Sequence, residues 1–229
     1  MGIPQYLAMT EGEIAASTHL PPQLARMGCH FSEDGIAELP EALPEGALLV
    51  LDDRVPMGAQ DPGRILAQLE EALEKFSCVG LLLDFQQEDN APQKALVRLL
   101  ARELPLPLAA PPAYAAEGCR IFLPPAAADQ TVEEALAPWV GEKIWLDTAP
   151  AAIRLTLTEQ GCLRTPLPGM PGPGKFEDTA LCCRYSIEAM PKGFQFTLYR
   201  DRGCMEAMLE RAAALGAELA VGLGQEWNA

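Results

Sequence analysis

Uninterrupted apolar runs that end in polar or acidic residues are the dominant pattern of this chain. The clearest is Cys78-Val-Gly-Leu-Leu-Leu-Asp-Phe-Gln86, and the runs at 47–53 and 143–147 have the same character. Because apolar and polar positions do not alternate in these runs, they predict strands covered on both faces, as in a parallel sheet.

Helix-start signals stand between these runs. Capping residues are found at Thr10, Asp61, Asn90 and Asp201, and the first of them has a glutamate three residues later, the spacing of a capping box. A further helix is expected from Thr131 to Trp139. An order in which an apolar strand is followed by a capped helix and then by another apolar strand predicts an α/β fold. We expect core-type strands near positions 25, 47, 79, 106, 119, 143, 194 and 218. This count favours an irregular (β/α)8 TIM-type barrel formed by one domain, 1–229, with an open doubly wound sheet as the alternative.

The pattern of apolar and polar residues changes in the C-terminal third. Residues 153–158 alternate with a period of two, and a turn at 159–161 can return the chain through 165, which predicts an exposed antiparallel hairpin. A second strand pair is expected at 182–188 and 194–199, so that 151–200 forms a small antiparallel β insertion. The Pro- and Gly-rich segment 166–174 is a loop, either a lid or a tolerated insertion.

The excess of acidic over basic residues limits the classes of molecule that the chain is expected to bind. The chain has 32 acidic and 17 basic residues, a formal net charge of −15. Such a surface repels phosphate backbones and anionic lipids, so we expect neither nucleic-acid binding nor membrane association. The N-terminal residues show no signal-peptide pattern, which favours a cytoplasmic location. Oligomeric state is left open.

Cysteine and motif patterns exclude several cofactors. The seven cysteines form no CxxC pair and only two histidines are present, which argues against a zinc site. We expect Cys182 and Cys183 to be two buried thiols, with soft-metal binding as the alternative. No dinucleotide-binding or phosphate-binding glycine motif follows any predicted strand, so no cofactor is expected.

Polar residues at the ends of the predicted strands are the candidate site, because strand C-termini meet at the mouth of a barrel. Converging carboxylates could act as an acid/base pair or hold a divalent cation. They could equally cap helices and form salt bridges with arginines such as Arg54. The set comprises Asp52, Asp53, Asp84, Gln86, Asp147, Glu226 and, with less support, Glu188.

Aromatic side chains supply a second group of candidates, because the apolar faces of sugar rings stack on aromatic rings. Core packing is the alternative for each of them. His30 lies near a strand end and could act as a base or as a structural hydrogen-bonding group. The aromatic candidates are Phe85, Tyr114, Trp145, Tyr185 and Trp227.

The run Val79-Gly-Leu-Leu-Leu-Asp-Phe-Gln86 resembles the signature strand of family 18 glycoside hydrolases, the chitinase-like barrels. That strand reads approximately Asp-Gly-x-Asp-x-Asp-aromatic-Glu. Gly80, Asp84 and Phe85 match the pattern. Val79 and Leu82 stand in place of the first two acids, and Gln86 stands in place of the proton-donating Glu. The family carries this signature on its fourth strand, whereas here it is about the third strand predicted.

The C-terminal third is also similar to the family. The order of a strand at 194–201, a helix and an apolar segment at 220–224 resembles the family's closing strand–helix–strand unit. Together the similarities cover about half the chain. The catalytic candidates are Asp84 and Gln86 (the position of the lost acid), which the resemblance implies, and the strand-end acids Asp147 and Glu226. The candidate ligand contacts are the strand-end residues Asp52, Asp53 and His30 and the aromatic residues Phe85, Trp145, Tyr185 and Trp227.

The resemblance implies a barrel that has lost the family's hydrolysis. Catalysis in the family is substrate-assisted: Glu protonates the glycosidic oxygen while the acetamido oxygen of the sugar attacks. A Gln side chain cannot donate a carboxylic proton. The expected function is therefore non-hydrolytic binding of carbohydrate, in particular amino-sugar oligomers, or of another small polar ligand. The alternatives are an active glycoside hydrolase using Asp84 with other strand-end acids, and a scaffold with no small-molecule site.

Overall fold

Eight parallel strands close into a barrel in the computed structural model, which describes residues 2–87, 90–149, 152–169, 171–172 and 174–223. The first strand pairs with both the second and the last, so the described sheet has no gap around the barrel. A short strand, β3, pairs antiparallel with the end of β2. The barrel region comprises β1 (Gln5–Met9), β2 (Leu24–Ser32), β3 (Gly35–Ala37), β4 (Leu48–Asp52), β5 (Gly80–Asp84), β6 (Leu108–Ala110), β7 (Arg120–Leu123), β8 (Ile144–Asp147) and, after the second sheet, β14 (Ala217–Leu223).

The helices that surround the barrel differ greatly in length, which makes the barrel irregular. Two long helices cover the side formed by β4 to β6, whereas two others are only 6 and 5 residues long. The N-cap residues, among them the four expected from the sequence, all accept hydrogen bonds from the first turns of their helices. The helices are α1 (Glu11–Ala16), α2 (Pro62–Lys75), α3 (Ala91–Glu103), α4 (Val132–Leu136), continued by a 3-10 turn (Ala137–Trp139), and α5 (Arg202–Ala214).

Apolar side chains pack in separate layers inside and outside the barrel wall. Alternate residues of each strand point to opposite faces. Val50, Leu82 and Trp145 therefore fill the interior, while Leu49 and Leu83 pack outward under the helices α2 and α3. This double burial explains why the strand sequences are continuous apolar runs.

A five-stranded antiparallel sheet lies between β8 and α5 in the sequence. Its strands are β9 (Ala152–Thr158), β10 (Gly161–Pro166), β11 (Phe176–Asp178), β12 (Cys183–Met190) and β13 (Gly193–Tyr199), in the spatial order β10-β9-β13-β12-β11. The predicted hairpin and strand pair are both present, joined in one sheet by the β13–β9 pairing. The expected TIM-type barrel with an antiparallel insertion is confirmed.

One strand assignment from the sequence was wrong. The segment near 194 belongs to the second sheet and not to the barrel, whose eighth member is β1. β1 does have a short apolar run, Tyr6 to Met9, but only Tyr6 and Ala8 are buried, and the other residues of the strand are half-buried beside the short α1. With β1 counted, β5 becomes the fourth barrel strand, the position at which family 18 carries its signature.

None of the described helices combines the length and the apolar character needed to cross a membrane.

Candidate functional site

The candidate site is a cavity at the mouth of the barrel, where the parallel strands end. Its volume is about 260 Å³. Asp84, Gln86 and Asp147 provide its carboxylate and amide groups, and the floor beneath them is apolar. The apolar lining includes Met27, Val50, Leu82, Phe122 and Val221.

Asp84 is the central acid of this mouth. It is the register partner of Asp52 on β4, which in turn is the partner of His30 on β2. These residues therefore lie at the same level on three adjacent strands. Burial raises the pKa of the Asp84 carboxyl above its ordinary value, and the nearby carboxylates of Asp52 and Asp53 act in the same direction. A hydrogen bond from Gln86 acts against them.

Gln86 presents its amide directly to Asp84. Its side-chain Nε2 donates to Asp84 Oδ1 at 2.5 Å, and the residue is exposed at the mouth. The amide group can donate and accept hydrogen bonds at any pH, but it carries no acidic proton. The Asp84–Gln86 pair can therefore bind hydroxyl and amide groups without supplying an acid at position 86.

Asp53 holds the backbone that carries Gln86. It is 2% exposed, and its two carboxylate oxygens accept hydrogen bonds from the backbone N–H groups of Gln86 at 2.8 Å and Gln87 at 3.0 Å. The side-chain amide of Gln93 donates to the same carboxylate at 3.1 Å. Asp53 thus positions the loop after β5, and the structure does not place it in the cavity lining.

Asp52 and His30 lie beside the cavity rather than in its lining. The guanidinium of Arg54 forms two hydrogen bonds with the Asp52 carboxylate, at 2.6 and 2.8 Å. This is the salt bridge with Arg54 that the sequence left as an alternative. His30 Nδ1 lies 3.0 Å from the carbonyl oxygen of Gly28, so one ring nitrogen is engaged with the backbone.

Asp147 and Trp145 occupy the opposite side of the barrel. Asp147 Oδ1 accepts a hydrogen bond from the backbone N–H of Ala149 at 3.0 Å, and Asp147 lines the mouth cavity. Trp145, two residues earlier on β8, is 3% exposed and packs inside the barrel. It supports the apolar floor and is not an open stacking platform.

Among the described residues, the other aromatic candidates do not line the mouth cavity. Phe85 points outward and packs between Phe31 and Tyr114, with ring centroids 5.7 and 5.3 Å away. Tyr185 stacks on Phe176 in the second sheet, where Glu188 is also found, exposed on β12. Glu226 and Trp227 lie outside the described residues, so their roles stay predictions.

The polar lining was predictable from strand ends, but the apolar lining was missed. Val50, Leu82 and Trp145 each precede a strand-end acid by two residues. Because strand side chains repeat every two residues, each lies on the same inward face as that acid. This two-residue repeat is present in the sequence. Once the strand ends are known, it identifies the residues that form the apolar floor of the site.

The arrangement of the acids, histidines and cysteines bears on metal and thiol chemistry. Within the described part of the chain, no group of three or more His, Cys, Asp or Glu side chains is arranged to hold a metal ion. All seven cysteines are free, and only Cys162 is exposed. Burial raises the pKa of Cys29, Cys78, Cys183 and Cys204 to about 11, so these groups are neutral thiols near pH 7.

The arrangement of the barrel and its insertion is shared with chitinases and chitinase-like proteins. Human YKL-39, described as a pseudo-chitinase with retained chitooligosaccharide binding, has a TM-score of 0.58 and 12% identity over 99% of this chain and 95% of its own. The chitinase-like agglutinin RobpsCRA from Robinia pseudoacacia has a TM-score of 0.64 and 12% identity, covering 98% of this chain and 95% of its own.

A third similar structure is a Glu-to-Gln mutant of the class V chitinase from Nicotiana tobaccum in complex with NAG4. Its TM-score is 0.57 with 11% identity, over 97% of this chain and 93% of its own. No protein-family model matches the sequence, and no curated protein matches it. The structural similarities establish a chitinase-like barrel fold.

Proposed function

We propose that this chain binds carbohydrate, specifically amino-sugar oligomers, at the barrel mouth and does not hydrolyse it. The observation that carries the proposal is the Asp84–Gln86 pair: an amide, hydrogen-bonded to the central acid, stands where the resemblance to family 18 expects the proton donor. The loss of a general acid typically removes about 10²–10⁴-fold of rate. Chitooligosaccharide binding by a pseudo-chitinase of the same fold supports the combination of binding with lost hydrolysis.

The shape and polarity of the mouth suit a sugar ring. Pyranose rings combine apolar faces with hydroxyl groups at the edge, and the cavity combines an apolar floor with Asp84, Gln86 and Asp147 at its rim. Its volume of about 260 Å³ lies below the roughly 300–1,000 Å³ of pockets for drug-sized ligands. We infer that one ring of an oligomer enters the cavity and that the neighbouring units extend along the rim.

The proposal is tested by titrating the protein with the tetramer of N-acetylglucosamine in a calorimeter. We expect saturable binding that Asp84→Ala weakens at least about 10-fold, because one lost hydrogen bond to a charged group costs about 1.5–3 kcal/mol. Asp34→Ala is the matched control, since it removes the same charge from a side chain that is 90% exposed. Equal affinities of the two variants, or no binding at millimolar sugar, would refute the proposal.

An active hydrolase is the second candidate, and one observation favours it. Burial raises the pKa of Asp84, as a general acid requires. In this alternative Asp84 works with Asp52, Asp147 or Glu226. It requires release of shorter sugars by the wild-type protein and loss of this turnover in Asp84→Asn. A scaffold without a ligand site fits less well, because the mouth contains a cavity with a polar rim.

A further inference from the structure

The backbone that carries Gln86 into the barrel mouth is held by side chains from other segments of the chain. β5 ends at Asp84, and residues 85–87 follow it without regular secondary structure. The backbone groups of such a segment have no partner strand, so their hydrogen bonds must come from side chains or from water. The orientation of Gln86 therefore depends on the residues that supply these bonds.

Gln87, the residue after Gln86, is fixed at three points. Its backbone N–H donates to the carboxylate of Asp53 at 3.0 Å, and its side-chain Nε2 donates to the carbonyl oxygen of Asp53 at 2.8 Å. Its own carbonyl oxygen accepts a hydrogen bond from the hydroxyl of Tyr114 at 2.5 Å. Asp53 follows β4 and Tyr114 follows β6, so Gln87 is tied to the strands on both sides of β5.

Tyr114 contacts this loop with both its ring and its hydroxyl. The side chain is 4% exposed, and its ring packs edge-on against Phe85 with the centroids 5.3 Å apart. Besides donating to Gln87, the hydroxyl accepts a hydrogen bond from the backbone N–H of Asn90, the N-cap of α3, at 3.3 Å. One buried oxygen atom therefore joins the end of β5 to the start of the following helix.

Gln93 acts on the same loop indirectly, through Asp53. It is 0% exposed, and its Nε2 donates to Asp53 Oδ2 at 3.1 Å, the oxygen that also accepts from Gln87. The Oε1 atom of Gln93 is buried without a hydrogen-bond partner among the described residues. Because an unpaired buried acceptor is unfavourable, core stability alone does not explain a glutamine at this position. Its donated hydrogen bond, which orients the Asp53 carboxylate toward the loop, does explain it.

We propose that Tyr114 and Gln93 are positioning residues of the barrel mouth, which fix the loop after β5 so that the amide of Gln86 is presented to Asp84 and to the ligand. Neither side chain lines the mouth cavity, so both act through other residues. The inference rests on the proposed function and deepens it, because it makes the mouth a pre-formed recognition site. Binding groups that need no ordering when the ligand arrives give a higher affinity for a flexible oligomer.

The test compares the affinities of three variants for the tetramer of N-acetylglucosamine by calorimetry. Tyr114→Phe removes one hydroxyl, and Gln93→Met removes the amide while keeping the length of the side chain. Each is expected to weaken binding at least about threefold, because Gln86 must then be ordered on binding. Tyr199→Phe is the matched control: it removes a buried hydroxyl that accepts from the backbone N–H of Gly174 at 2.6 Å, and it should bind like wild type.

Two further measurements separate positioning from a general effect on the fold. In the Gln86→Ala background, adding Tyr114→Phe should change the affinity by less than about 1.5-fold, because the group that Tyr114 positions is gone. The hydrogen bond from Gln86 lowers the pKa of Asp84. Loss of that bond in Tyr114→Phe and in Gln93→Met should therefore raise the pKa of the Asp84 carboxyl, followed by carbon-13 NMR, although neither variant changes a charge. Tyr199→Phe should leave this pKa unchanged.

The outcomes distinguish this inference from the proposed function. Wild-type affinity in both Tyr114→Phe and Gln93→Met, additive effects of Tyr114→Phe and Gln86→Ala, or an unchanged pKa of Asp84 would overturn the inference and leave the proposed function intact. If the wild-type protein does not bind the tetramer, the proposed function fails, and the pKa measurement still decides whether Gln86 is positioned in this way. If Gln93→Met does not fold, Tyr114→Phe decides the test alone.

Discussion

Replacement of Arg200 by methionine should destabilise the fold more than any exposed charge change, because this buried guanidinium joins the second sheet to the barrel rim. Arg200 is 1% exposed and follows the last strand of the second sheet. It donates hydrogen bonds to the carbonyl oxygens of Ala126, Gln130 and Leu181. Its Nη2 atom lies 2.9 Å from the oxygen of Gln130 and 3.0 Å from the oxygen of Leu181. Burial lowers the pKa of Arg200, which shows that the site makes charging costly.

The magnitude follows from the groups left behind. Three carbonyl oxygens lose a donor, each at a cost of about 1–3 kcal/mol if it stays buried and unpaired. The sum of roughly 3–9 kcal/mol is offset by the several kcal/mol that burying the guanidinium itself costs. We therefore expect Arg200→Met to lower the free energy of unfolding by about 3 kcal/mol.

Urea denaturation followed by circular dichroism measures this loss. Arg202→Met is the matched control two residues away, since Arg202 is 73% exposed and pairs only with Glu206, at 3.1 Å, among the described residues. That variant should lie within about 0.5 kcal/mol of wild type. Equal free energies of unfolding for the two variants would refute the structural role given to Arg200.

Four further outcomes are expected. The pKa of Asp84 is raised in the folded state, so ionisation of this carboxyl lowers the stability of the fold as pH rises through the folded-state pKa. In urea denaturation, Asp84→Asn should therefore be more stable than wild type by about 0.5–1 kcal/mol at neutral pH, and the two proteins should be equally stable at about pH 3. Gly80→Ala should cost about 1–3 kcal/mol in the same assay, because a Cβ would meet the carbonyl oxygen of Pro107 at 2.7 Å. Gln86→Glu should gain measurable chitooligosaccharide hydrolysis, because the new carboxyl would share a proton with Asp84 beside it. A thiol reagent should modify Cys162 and leave the six buried cysteines unreacted in the native protein.

Much of the barrel was predictable because its strands are buried on both faces. The continuous apolar runs at β4, β5 and β8 and the helix caps are strong local signals, and all of them were confirmed. The strand β1 was missed although Tyr6 to Met9 form a short apolar run, in which only Tyr6 and Ala8 are buried. Gly193–Tyr199 was counted as a barrel strand although its mixed apolar and polar residues suit a sheet with one face packed, which is where it lies.

The candidate site was predictable in its polar groups but not in their directions. Strand ends predicted Asp84, Gln86 and Asp147 at the mouth, and the cavity contains all three. Asp53 and Phe85 each lie next to a mouth residue in the sequence, but they face away from it, because neighbouring residues on a strand point to opposite sides. The hydrogen bonds of Asp53 are made with the loop that follows a different strand, β5. The residues next to Asp53 in the sequence therefore do not predict them.

The central claim is binding without hydrolysis at a mouth that presents Gln86 beside Asp84. Its most direct test is one sample: wild-type protein with the N-acetylglucosamine tetramer, titrated by calorimetry and then analysed by mass spectrometry after prolonged incubation. We expect saturable binding and recovery of the intact tetramer. Shorter oligomers formed by the wild-type protein, or no binding at millimolar sugar, would contradict the claim.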